Sequence, residues 1–171
     1  MLTDVQLMQV KNSIMRVLHI PGNFFGENLE MAIVADCHIP TKELQEDLKR
    51  LANMLKRQDE TFRNVRLNLI KWISDEQITK EVSSLSYLQM GRAFSEEEQS
   101  GLKENAAEDK SLDELLRQLK LFYARSKVIL LITDGTYRIK NEDVVKEALR
   151  PFLGRKLLIV KDGQVSKLPM I

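Results

Sequence analysis

Val128-Ile129-Leu130-Leu131-Ile132-Thr133-Asp134-Gly135 is the stretch on which the fold of this chain turns. Its apolar run carries no polar alternation, so it reads as a strand covered on both faces, as central strands of parallel sheets are. Asp134-Gly135 ends it in a turn. Two other apolar runs of strand length flank it in sequence, Leu29 to Ala35 and Leu157 to Val160. Val65 to Ile73 alternates strongly enough for a further strand, and residues 77 to 83 for a short edge strand. Between the runs the apolar period becomes helical, with Leu44, Leu48, Leu51 and Leu55 on one stripe and Leu112, Leu115, Leu116, Leu119 and Phe122 on another. Strands alternating with helices predict an α/β fold, a mostly parallel sheet with helices on both faces. The strands starting near Met31, Val65, Val128 and Lys156 are expected in one sheet, the Asp36 strand beside the Asp134 strand.

Capping chemistry supplies the punctuation. Thr3 is placed to cap a helix over residues 3 to 19, whose stripe is Leu7, Val10, Ile14, Val17 and Leu18, and Pro21-Gly22 stops it. Ser111-Leu112-Asp113-Glu114 has the form of a capping box. Asn141 caps a later helix expected to turn Val144, Val145, Ala148 and Phe152 inward. Asp162-Gly163 between two apolar segments signals a C-terminal hairpin. Residues 95 to 110 are expected to form an acidic, flexible insertion, since Ser95 to Asp109 holds six acidic residues and one lysine with little to bury.

The 171 residues suit a single domain spanning 1 to 171, with residues 1 to 22 packing as a helix on the sheet. Lysine and arginine total 26 against 25 acids. That balance argues against nucleic acid or an anionic membrane as partner, because both need a charge excess concentrated on one surface. One cysteine, Cys37, excludes an internal disulfide. With no basic start, signal-like apolar run or spanning segment, the expected location is the cytoplasm. Neither GxGxxG nor GxxxxGK[ST] occurs, which removes the commonest nucleotide-binding readings.

In open parallel sheets, ligands bind beyond the carboxyl ends of the strands where the strand order reverses. Asp36 and Asp134 fall at two such ends, and paired carboxylates suit a hard cation such as magnesium. Here the chain resembles von Willebrand factor A (VWA) domains. Val128 to Gly135, closing in Thr-Asp-Gly, is similar to the family's fourth strand, and Met31 to Asp36 to its first, which delivers the opening aspartate of a metal-ion-dependent adhesion site. Val65 to Ser74, with Trp72 near its end, resembles the second strand, and Ser111 to Leu116 the helix after the metal site's threonine loop. The likeness covers residues 29 to 168 in order and implies a three-layer, Rossmann-like architecture. The N-terminal helix is then expected to replace the family's closing helix.

The departures decide what the likeness implies for function. The family's Asp-x-Ser-x-Ser becomes Asp36, His38 and Pro40. Proline offers no ligand atom, and imidazole prefers softer metals than magnesium. Counting back from Ser111, Lys110 falls at the threonine's place, where its ammonium would repel a cation and stand in for it. The resemblance thus implies a degenerate metal site and no cofactor. The expected function is non-catalytic binding of another protein within an assembly, through a rim of Asp36, His38, Lys110, Ser111, Asp134 and Thr136. The alternative is a magnesium- or manganese-dependent hydrolase or phosphotransfer domain using Asp36 and Asp134, but His38 is the only candidate base. Plainer readings exist for each residue. Asp134-Gly135 is then a simple turn, Asp36 a cap for the helix near Thr41, Cys37 a small buried hydrophobe, His19 a helix end and Trp72 core.

Overall fold

A computed structural model describes residues 1–26, 28–58, 60–96, 98, 110–122, 125–150 and 153–166. Helix α1 (Asp4–Leu18) opens with a reciprocal capping box. The Thr3 hydroxyl accepts from the Gln6 N–H at 3.1 Å, and the Gln6 side chain accepts from the Thr3 N–H at 2.8 Å. Then follow β1 (Leu29–Asp36), α2 (Thr41–Gln58), β2 (Val65–Trp72), β3 (Ile78–Ser83) and a short α3 (Leu85–Gln89). The chain continues through α4 (Leu112–Leu119), β4 (Val128–Thr133), α5 (Glu142–Ala148), α6 (Leu153–Lys156), β5 (Leu157–Lys161) and β6 (Gln164–Ser166).

Among the described residues six strands form one sheet in the order β3-β2-β1-β4-β5-β6. The four inner strands run parallel, while β3 and β6 pair antiparallel at the edges. Because β1 is followed by β2 on one side and has β4 on the other, the strand order reverses between β1 and β4. The expected adjacency of the Asp36 and Asp134 strands is present, with Met31 opposite Val128 and Ala35 opposite Ile132.

The pleat sends alternate residues to opposite faces. Met31, Ile33, Val128, Leu130, Leu158 and Val160 join α1 and α2 in one buried cluster. Ala32, Val34, Ile129, Leu131, Leu157 and Ile159 join α4 and α5 in the other. This explains the uninterrupted apolar runs of β1, β4 and β5. The edge strand β3 is largely exposed, which is why its pattern was faint. In the hairpin, Asp162 and Gly163 both have positive φ (50° and 82°), as a type I′ turn requires.

Several expectations are corrected. Val144 is 41% exposed, because it lies one residue off the stripe of Val145 and Ala148 that faces the core. Helix α3 was not foreseen, although Ser84 caps it and Leu85 and Leu88 are buried. Ser111 caps α4, but Glu114 does not complete a box; its carboxylate pairs with Arg117 instead. At the start of the acidic segment, Ser95 and Glu98 cap one another's N–H groups at 3.1 Å. Glu97, residues 99 to 109 and Phe152 lie outside the described residues. No helix among the described residues is long and apolar enough to cross a membrane.

Candidate functional site

Asp36 closes β1 at the reversal point and is fully buried. Parallel pairing sets Trp72 of β2 beside it, and Thr133 ends β4 on its other flank. Both carboxylate oxygens are engaged. Oδ1 pairs with the Lys110 ammonium and accepts the His38 backbone N–H at 3.0 Å. Oδ2 accepts the Thr133 hydroxyl at 2.6 Å, and that hydroxyl is oriented by the Gly135 N–H at 2.9 Å. The bond to His38 is a local turn, so Asp36 does not cap α2.

Lys110 is itself buried at 1% exposure. Besides Asp36, its ammonium donates to the Trp72 carbonyl at 2.9 Å and sits 4.5 Å from the centre of the Trp72 ring, a cation–π contact. Tyr137 packs against the same indole with centroids 5.7 Å apart. Burial first, and then the Asp36 charge, raise the Tyr137 phenol above its ordinary value. The ammonium is therefore held by a carboxylate, a carbonyl and a π face in a site closed to water.

The backbone holds Lys110 there. Its carbonyl accepts the Arg138 N–H at 2.9 Å, and the Leu112 N–H donates back to the Arg138 carbonyl at 2.8 Å. Ser111 between them is clamped by Asp75, which accepts both its N–H (2.7 Å) and its hydroxyl (3.0 Å). Asp75 also takes the Lys140 ammonium at 3.1 Å. A strap from residue 110 to 112 is thus tied to the turn after β2 and the loop after β4.

The surface of the rim belongs to other residues. His38 and Asp134 pair through Nδ1 and Oδ2 and remain 40% and 25% exposed. Thr136 is exposed, and its N–H donates to Asp134 Oδ1 at 3.0 Å. Burial works to raise the Asp134 pKa, but the His38 bond and the Thr136 N–H outweigh it and hold the carboxyl below its usual value. Of the six residues expected at the rim, Asp36, Lys110 and Ser111 form its buried floor, and His38, Asp134 and Thr136 its accessible lip.

A second buried ammonium lies on the neighbouring strand. Lys71 pairs with Glu81 at 2.6 Å and Glu98 at 2.7 Å, 4.8 Å from the Phe94 ring centre. Burial disfavours its charge, yet the two carboxylates prevail and raise its pKa. Sequence reasoning did not single out Thr133, Tyr137, Asp75 or Lys71. The signals were present: Thr133 follows from register with Asp36, and a lysine inside a strand of buried residues calls for a partner.

The chemistry open to this site is narrow. Burial, prevailing over the opposing Lys110 charge, pushes the Cys37 thiol up to about 12, far from a reactive thiolate. His38 Nδ1 is engaged by Asp134. No family model matches this chain, and no curated protein matches it at a meaningful level.

Proposed function

We propose that the chain is a VWA-like, non-catalytic protein-binding module in which Lys110 takes the place of the family's cation. One observation carries this reading: both oxygens of Asp36 are already satisfied, by Lys110, Thr133 and the His38 N–H. A divalent ion would have to displace a buried ammonium from a carboxylate, a carbonyl and an indole face together. Pro40 supplies no ligand, and His38 is turned to Asp134. The residues present therefore do not fit magnesium, and the floor works as a fixed internal ion pair. Strand order β3-β2-β1-β4-β5-β6 supports the Rossmann-like, three-layer description, since doubly wound sheets place ligands at the β1–β4 reversal.

Binding then rests on the lip: the Asp134 carboxylate, the His38 imidazole and the Thr136 hydroxyl around a rigid floor. Cytoplasmic residence belongs to the same proposal and rests on the single cysteine. The test is quantitative capture from the cell of origin with the natural chain and with Asp134→Lys. The proposal expects a defined protein partner recovered without added metal and lost on charge reversal at Asp134. Recovery unaffected by that reversal, or dependent on magnesium, would overturn it.

A further inference from the structure

The near-neutral total charge conceals a segregation that the fold creates. Each connection from a helix back into a parallel strand arrives at the amino edge of the sheet, opposite the rim. Two such connections, residues 120 to 127 into β4 and 149 to 156 into β5, hold Lys120, Arg125, Lys127, Arg150, Arg155 and Lys156 and no acidic residue. Because β4 and β5 pair directly, with Ile129 opposite Leu157, these six cations gather at one corner. Lys120, Arg125, Arg150 and Arg155 are exposed, and Lys127 and Lys156 half-buried. Burial first, and then the charge of Lys127, lower the Lys156 pKa, as expected of like charges held close.

The neighbouring loop adds an apolar element. Asn23 donates to the Lys127 carbonyl at 2.9 Å and to the Val17 carbonyl at 2.8 Å, pinning the loop before β1 against the entry of β4. Two residues on, Phe25 stands 81% exposed. Two acids border this corner: Glu30, whose carbonyl accepts the Lys127 N–H at 2.8 Å and whose carboxylate stands beside Arg66, and Glu147, whose carbonyl accepts the Arg150 N–H at 3.2 Å. Six cations against these two leave the corner basic, while Asp75, Glu76, Asp134, Glu142 and Asp143 follow the carboxyl ends of the strands.

We propose that this corner docks on an anionic lipid surface, with Arg125, Lys127 and Arg155 against the headgroups and Phe25 at the interface. The condition that net charge left unmet, an excess concentrated on one surface, is met here. The basic residues lead two paired strands about 5 Å apart, so their charges converge on one patch. An exposed aromatic beside basic groups combines the apolar and coulombic terms of interfacial binding. With this corner on the lipid, the rim at the other end of the parallel strands would face away from the membrane, open to a partner.

Co-sedimentation of the full chain with phosphatidylcholine vesicles containing phosphatidylserine tests this, against vesicles of phosphatidylcholine alone. Binding should require phosphatidylserine and weaken as salt rises. Arg125→Gln with Arg155→Gln should reduce partitioning roughly 25-fold, at about five-fold per charge. The paired Arg→Lys variant should retain binding, Phe25→Ser should weaken it, and Lys42→Gln at the other edge should leave it unchanged. No binding at low salt, equal binding to both vesicles, or loss in the Arg→Lys variant would overturn the proposal. So would tighter binding to single-stranded DNA or to polyglutamate, each of which assigns the corner to a different partner.

Discussion

Lys110 and Asp36 illustrate how a buried pair differs from a surface one. Exposed ion pairs contribute little, whereas removing one member of a buried pair leaves an uncompensated charge out of water. Lys110→Met is expected to cost about 3–5 kcal/mol in urea unfolding, and Asp36→Leu with Lys110→Met less than the single change. A single-variant cost under about 1 kcal/mol would mean that the floor is not closed as described. Glu98 offers a pH test on the neighbouring pair. Burial works to raise its pKa, but Lys71 and the Ser95 groups prevail and hold it below the ordinary 4.5. A depressed carboxyl contributes stability above its unfolded pKa and loses it as pH falls through the folded value. Acid titration of the unfolding midpoint should therefore show a loss below about pH 4.5 that Glu98→Gln diminishes; superimposable profiles would exclude a role for this pair. The sequence made Asp36 and Asp134 readable because each ends an apolar run, and Lys110 followed from counting back from Ser111. Thr133 entered only as part of Thr-Asp-Gly, and Tyr137 and Asp75 were not read, because their partners are fixed by loop closure, which composition does not display.

Helix α1 joins the sheet by a continuous apolar stripe, with Leu7, Val10, Ile14, Val17 and Leu18 all buried. The hairpin closes over its start: a Cβ on Gly163, whose φ is +82°, would meet the Gln6 side chain, in the capping box itself. Two substitutions probe the junction. Ile14→Ala should lose about 2–5 kcal/mol through cavity formation. Gly163→Ala should lose at least about 1 kcal/mol, since it combines left-handed backbone with a clash. Thermal melts of both check this, and a Gly163→Ala melt equal to the natural one would show that the hairpin does not press on α1. Strong periodicity made α1, α2 and α4 legible. Helix α3 was missed because five residues span little more than one turn and display almost no period. Glu114 failed to complete its box because Asp75, remote in sequence, claims the Ser111 N–H.

Across the whole molecule, strand–helix alternation carried the α/β class and the parallel core, and the apolar runs identified β1, β4 and β5 as its centre. Net charge was the poorest guide, because a near-zero sum carries no information about which end each charge occupies. What the sheet accomplishes is to bring the ends of β1, β2 and β4 together around one ammonium, and the proposal takes that lysine as the stand-in for a cation. Magnesium titration by calorimetry, run on the natural chain and on the triple variant His38→Ser, Pro40→Ser, Lys110→Thr, addresses that substitution most directly. The natural chain should give no binding heat and no change in melting temperature, while the triple variant, with hydroxyls restored and the ammonium removed, should gain magnesium-dependent stabilisation. Tight magnesium binding by the natural chain would contradict the assignment of Lys110 as the resident cation.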